Sequence, residues 1–143
     1  MENIKAYGVC LYKKSKNSTK ILLCKSVKSN DRWGFLKGVA LKDENKKDTA
    51  VREFIEESSI PIEKSYLEDF VYQENEQKDI GIYLVNVNKI KNLDKFFHND
   101  ILHDGYLSWE NSKVKFFDLN DLPLIKKKQE KLIKEIIKIL KKN

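Results

Sequence analysis

Arginine is almost missing from this chain. Of 28 basic residues only Arg32 and Arg52 are arginine, so nearly all of the net charge of +6 stands on lysine. The lysines are scattered, dense only at Lys126–Lys128 and Lys141-Lys142, and such runs read first as a solvated surface. No aromatic-interleaved basic motif and no helix-turn-helix pattern accompanies them. That argues against a dedicated RNA-binding module, although the positive field suits a phosphate-rich substrate or the 5′ end of an RNA. Cysteine is just as scarce. Cys10 and Cys24 lie outside any Cys-x-x-Cys spacing, so they read as two free core thiols of a reducing compartment, not as a disulfide framework or a thiolate metal site. No apolar run approaches the ~18 residues needed to span a membrane, and the start MENIKAYG carries no apolar signal segment. A cytoplasmic protein with no membrane partner is expected. Repeats and low-complexity linkers are absent too. At 143 residues, 41% hydrophobic and 35% charged, the expectation is one domain over residues 1–143, large enough to bury a core without staples.

What the chain does have is concentrated between Gly38 and Ile60, GVALKDENKKDTAVREFIEESSI. The spacing is Gly38, five residues, Glu44, seven residues, then Arg52-Glu53-Phe54-Ile55-Glu56-Glu57. Six fixed identities arise by chance in about one chain in 10^5, or ten times as often in a Glu-rich one. Asp48-Thr49 reads as an N-cap, and Ala50 to Ser58 holds no Gly or Pro, which predicts a helix. At about 100° per residue, Glu53, Glu56 and Glu57 share an arc of roughly 100°, while Val51, Phe54 and Ile55 lie on another that can face a core. Three carboxylates on one short helical face repel unless something positive sits among them. An oxygen-only donor set suits Mg2+ or Mn2+ and not zinc, and those ions commonly bind carboxylates together with substrate phosphates. A solvated acidic face is the plainer alternative for the cluster alone.

These residues resemble the signature of the Nudix (MutT-like) hydrolases, Gly-x5-Glu-x7-Arg-Glu-U-x-Glu-Glu-x-Gly-U with U bulky and apolar. Every position is filled except the last Gly, which is Ser59. The resemblance implies metal-dependent hydrolysis of a diphosphate linkage in a nucleoside diphosphate joined to a further group. It implies that Glu53, Glu56 and Glu57 bind Mg2+ or Mn2+, with the Gly38 carbonyl as a further ligand. Arg52 is then expected to orient a catalytic carboxylate by a salt bridge, and Glu44 to pair within the loop. A Ser at position 59 costs about 1 kcal/mol if left-handed geometry is needed there.

Two further patches refine the expectation. Arg32-Trp33-Gly34-Phe35-Leu36-Lys37-Gly38 is similar to the Trp-x-Phe-Pro-Lys-Gly lead-in of diadenosine tetraphosphate hydrolases, RNA 5′-pyrophosphohydrolases and decapping enzymes, with Leu36 in place of Pro. Lys37 is expected to neutralise a phosphate oxygen, and Arg32 to hold the rest of a polyphosphate. Trp109-Glu110 through Phe117 is similar to the stretch before the last strand in several polyphosphate-cleaving relatives, which makes Glu110 a candidate general base beside Glu53. The alternative for Glu110 is an ordinary loop carboxylate. Tyr83 is a candidate surface for a nucleobase, with core burial as its alternative. His98 and His103 read as exposed loop residues. A dinucleoside polyphosphate or 5′-triphosphorylated RNA is the favoured substrate. Oxidised nucleoside triphosphates, ADP-ribose, and a non-catalytic nucleotide-sensing or RNA-binding domain are the alternatives.

The order of elements predicts an α/β fold, a Nudix-type α/β/α sandwich on a mixed sheet. Strands are expected at Ile4–Tyr12, Lys20–Lys25, Leu67–Tyr72, Ile80–Val87 and Val114–Phe117. A short helix is expected at Leu93–Phe97 and an irregular loop at His98–Ser108. Leu124, Leu132, Ile133, Ile136, Ile137 and Leu140 form an apolar stripe at helical spacing, so the C-terminal segment is expected to be an amphipathic helix packed on the sheet.

Overall fold

The long first strand sets the architecture, because its side chains are buried on both faces. In β1 (Ile4–Lys14), Val9 and Leu11 point into one apolar cluster, and Cys10 and Tyr12 into another. A strand with no solvent face needs a layer on each side, and the structure, a computed structural model that describes residues 2–28 and 31–142, supplies one on each. The other strands are β2 (Thr19–Ser26), β3 (Leu36–Val39), β4 (Phe70–Gln73), β5 (Lys78–Asn86), β6 (Phe97–His98), β7 (Ile101–Leu102) and β8 (Asn111–Asp118). They form a mixed eight-stranded sheet in the order β4-β5-β1-β2-β8-β7-β6, with β3 paired to β1 beside that path. β1 and β5 run parallel and the remaining pairs antiparallel. The expected α/β/α sandwich is present.

Helix α1 (Lys46–Ser58) covers one face with Ala50 and Phe54, both fully buried among Val9, Leu11, Leu22 and Leu36. Helix α2 (Glu130–Lys141) covers the other with Leu132, Ile133, Ile136 and Leu140, against Leu23, Ile80, Ile82 and Leu84. The apolar stripe expected of the C-terminal segment is the buried one, except that Leu124 lies before the helix and is 60% exposed. On α1 the apolar arc is only partly used, since Ile55 is 37% exposed.

Several boundaries differ from the expectation, each for a local reason. The signature helix begins four residues before Ala50, because Asn45 and not Asp48-Thr49 is its cap. The Asn45 side chain accepts the Asp48 N–H at 2.9 Å. Leu93–Phe96 is a single 3-10 turn. Phe97, expected to end the short helix, and His98–Leu102, expected as loop, form a small hairpin of β6 and β7 turned by Asn99 and Asp100, both at positive φ (51° and 67°). Asn and Asp tolerate that conformation, which is the turn signal in the Asn99-Asp100 dipeptide. The Asp100 carboxylate then ties the hairpin to the sheet through Lys13 and Lys20, at 2.7 and 2.6 Å.

Ser59 ends α1 at φ 63°, ψ 4°, with its N–H donated to the Ile55 carbonyl at 2.8 Å. The left-handed geometry that the family's Gly serves is therefore required here and is met by a residue with a Cβ. Ser59→Gly is expected to stabilise the protein by about 0.5–1 kcal/mol, less what is lost with the Ser59 Oγ bond to the Tyr106 carbonyl at 3.2 Å. A thermal melt should show a rise of roughly 2–4 °C. A fall would mean that the hydroxyl contributes more than the strain costs.

Candidate active site

The carboxylates of α1 are held by one guanidinium. Arg52 Nε and Nη2 donate to the two oxygens of Glu44 at 2.8 and 2.9 Å. Its Nη1 donates to Glu53 at 3.0 Å and to Glu56 at 3.1 Å, and Nη2 also reaches the Val39 carbonyl at 3.1 Å. Glu44 is doubly useful: it also accepts from the Leu41 N–H at 3.0 Å and the Thr49 hydroxyl at 2.8 Å. The Arg52 bond, then the Leu41 amide, hold its carboxyl down to about 2, and Glu44 in turn raises the Arg52 guanidinium above its ordinary value. The bidentate fork that joins Glu44 to Arg52 thus fixes the loop before α1 to the helix itself.

Glu57 has a different environment. It is 9% exposed and accepts from Asn111 Nδ2 at 2.9 Å. Burial pushes its carboxyl up to about 7, against the lowering effect of the Asn111 bond. Burial also raises Glu53, which Arg52 opposes and Glu56 reinforces. The Cys24 thiol, near Glu57, is pushed up to about 12 by burial and keeps its proton.

Gly38 explains itself by space. It lies in β3 opposite Tyr7, and a Cβ built there would run into the Glu53 carboxylate. The signature glycine is therefore where the backbone of β3 must let the side chain of Glu53 pass close over it.

These groups open onto a cleft of about 370 Å³ lined by Gly38, Glu53, Glu56, Glu57, Glu110 and Lys37. Lys78, Lys126 and Asn111, which the sequence reading did not single out, lie on the same walls. Burial, followed by the charges of Lys78 and Lys126, lowers Lys37 below the ordinary lysine value. The structure brings together every residue expected at the metals, together with Glu110 and Lys37. Two expected substrate contacts are not on these walls. Arg32 donates its Nη1 to the Ile125 carbonyl at 2.7 Å. Tyr83 is 3% exposed and packs on Phe70 with ring centroids 4.6 Å apart. A strand residue of a sheet covered on both faces is packed into the core, and no nucleobase reaches Tyr83 there. Trp33 and Phe35 of the lead-in are also core residues, whereas Trp109, beside Glu110, is 84% exposed.

An oxygen-only donor set beside a glycine cradle fits a hard divalent cation. Among the described residues no three such side chains already converge as a closed cage. Glu53 and Glu56 turn to Arg52 and Glu57 to Asn111, so an ion competes with those donors for the carboxylate oxygens.

A model of the NUDIX domain matches residues 3–138. The chain belongs to the Nudix family. Hydrolases of this family generally need divalent metal ions, and membership places the chain among the pyrophosphohydrolases. The chain is similar to the Ap4A hydrolase of C. elegans, at 22% identity and a TM-score of 0.58 over 82% of this chain and 81% of that one. The NUDIX domain of Shewanella oneidensis NrtR, in complex with ADP ribose, is 17% identical with a TM-score of 0.66 over 98% and 90%. The Nudix hydrolase RenU of M. smegmatis is 10% identical with a TM-score of 0.70 over 99% and 90%. At these identities the likeness is one of fold. No curated protein matches the chain in sequence. Among the described residues no helix is long and apolar enough to cross a membrane.

Two outcomes are expected from this geometry. Gly38→Ala should displace the Glu53 carboxylate while leaving the fold within about 1–2 kcal/mol, since the obstructed group is the mobile end of a side chain. A loss in kcat of roughly 10- to 100-fold with a near-normal melting temperature checks this; unchanged kcat would mean that Glu53 is not held where it must act. The second concerns Glu57, whose folded-state value of about 7 exceeds its ordinary 4.5. The metal-free protein then binds more protons than the unfolded chain between those values, so its stability falls as pH rises through that window. Glu57→Gln stays neutral and should be more stable than the parent by about 2–3 kcal/mol at pH 8, but not at pH 4, in EDTA melts. It should also lose at least about 10^2-fold in activity.

Proposed function

We propose that this chain, as one domain over residues 1–143, hydrolyses a diphosphate linkage in a dinucleoside polyphosphate or in the triphosphorylated 5′ end of an RNA, using Mg2+ or Mn2+. The observation that carries this reading is the shared cleft, where Glu53, Glu56, Glu57 and Glu110 face Lys37. Carboxylates alone make a cation site. Carboxylates opposite uncompensated ammonium groups make a site for a cation and a polyanion together. The two free buried thiols accord with a reducing, cytoplasmic setting.

Glu53, Glu56 and Glu57 would hold the divalent ions, with the Gly38 carbonyl as a further ligand. When bound, the ions would screen the phosphate charge and acidify a water. Arg52 is a positioning residue: it holds Glu53 and Glu56 against their mutual repulsion, engaging one oxygen of Glu53 and both of Glu56. Lys37, on β3 beside Gly38, compensates charge on a phosphate oxygen as the bond to the leaving group breaks. Glu110, exposed at the cleft lip and accepting at its carbonyl from the Val27 N–H at 2.9 Å, would take the proton of the attacking water. Glu53 is the other candidate base. ADP-ribose is the second substrate reading, favoured by the likeness over 98% of this chain to the ADP-ribose complex of NrtR.

The test is a substrate panel with products resolved, run with and without excess EDTA. Tetraphosphate-linked dinucleosides and triphosphorylated RNA should be hydrolysed with the higher kcat/KM, and chelation should abolish activity; activity that persists in EDTA, or a clear preference for ADP-ribose, overturns the reading. In the same panel Glu110→Gln should lower kcat by about 10^2- to 10^4-fold with little change in KM. If that variant keeps kcat within about threefold while Glu53→Gln abolishes turnover, the base is on α1.

A further inference from the structure

Lys78 and Lys126 belong to chain segments far from the signature, yet both line the carboxylate cleft. Their backbones are pinned there. The Lys126 N–H donates to the Trp33 carbonyl at 2.9 Å, and its own carbonyl accepts from the Gln129 N–H at 2.9 Å. The Lys78 carbonyl accepts from Asn75 Nδ2 at 2.9 Å, and the same Asn75 nitrogen donates to the Lys128 carbonyl at 3.2 Å. One side chain therefore staples the two lysine-bearing segments together. Asp79 holds the turn beneath, accepting from Asn3 Nδ2 at 2.9 Å, the Asn75 N–H at 3.1 Å and the Tyr72 hydroxyl at 3.0 Å.

The ammonium groups are treated differently from their backbones. Among the described residues neither Lys78 nor Lys126 has a carboxylate within ion-pair distance, and neither does Lys37. Lys13 and Lys20, by contrast, share Asp100. Both unpaired groups line the same cleft as Lys37. Three like charges gathered in one cleft cost energy in the empty protein. Once divalent ions occupy the glutamates, the lysines have no protein counter-charge, and only the bound molecule can supply one.

The count of charges then matters. A diphosphate linkage such as that of ADP-ribose carries two negative charges at neutral pH, both beside the scissile bond. A tetraphosphate linkage carries four, and a 5′-triphosphate about as many. We propose that Lys78 and Lys126 form a subsite for the phosphates beyond the two that flank the scissile bond, so that the cleft selects chains of three or more phosphates over a diphosphate. This rests on the hydrolase reading and names the residues that set its substrate class.

The experiment uses the full chain with Mg2+. It measures binding of a methylene-bridged, non-hydrolysable dinucleoside tetraphosphate and of ADP-ribose to the parent, to Lys78→Gln/Lys126→Gln and to Lys78→Arg/Lys126→Arg. The glutamine pair should weaken tetraphosphate binding at least tenfold and ADP-ribose binding less than threefold. Its tetraphosphate affinity should also vary less steeply with salt, because fewer phosphates are neutralised. The arginine pair should keep the parent's discrimination. Equal losses on both ligands, or none on the tetraphosphate, overturn the subsite. Each single glutamine variant carries the same comparison if the double variant melts early. Failure of the parent to hydrolyse any phosphoric anhydride would instead refute the enzyme reading, and the binding comparison would still decide the lysines.

Discussion

Carboxylates that share one helical face repel unless a positive charge is held among them, and for Glu53 and Glu56 Arg52 is that charge. Its fork reaches Glu44, Glu53, Glu56 and the Val39 carbonyl, and so joins the loop before α1, the helix and the end of β3 in one hydrogen-bonded unit. A lysine would supply the charge but not the geometry, because an ammonium has three donors on a flexible stem and no planar fork. In the metal-free protein this clasp takes the place of the ions. It holds Glu53 and Glu56 in place by hydrogen bonds, while Glu57, too buried to share it, relies on Asn111. The helix beneath contributes no relief of its own: its last turn holds no basic residue.

The cleft itself comes from the way β1 divides its edge. Residues 6–9 of β1 pair with β3, and residues 12–14 pair with β2. β2 leaves β1 there and continues against β8, which brings Asn111 and the Glu110 loop over the gap. On its other edge β1 pairs in parallel with β5 along its length, and this sets Lys78 level with Ile4. The carboxylates on α1, the strand bearing Lys37 and Gly38, the start of β5 at Lys78, and the loop segments bearing Glu110 and Lys126 thus meet where the sheet parts. Two apolar layers, one under each helix, hold that split sheet rigid.

A site built in this way balances opposite demands. Burial raises the Glu53 and Glu57 carboxyls and lowers the Lys37 ammonium, which disfavours the charged form of each in the empty cleft.

What the sequence determined by itself was whatever repeats at a local period. Glu53, Glu56 and Glu57 fall together because a helix turns about 100° per residue, and Leu132, Ile133, Ile136 and Leu140 form a face for the same reason. A strand at Ile4–Tyr12 was legible in the same local way, and the signature's Gly position raised the question of left-handed geometry at Ser59, which the helix end answers. The tertiary structure decided everything that depends on distance along the chain. Lys78 is one of many scattered lysines and Lys126 one of a run of three, and only the β1–β5 pairing and the Asn75 bridge single them out. Arg32 carried the right chemistry for phosphate, but its fold places the guanidinium on the Ile125 carbonyl. Tyr83, Trp33 and Phe35 are aromatic in either role, and burial between sheet and helices made them core. Local geometry is written in neighbouring residues; which distant side chains share a wall is set by how the layers pack.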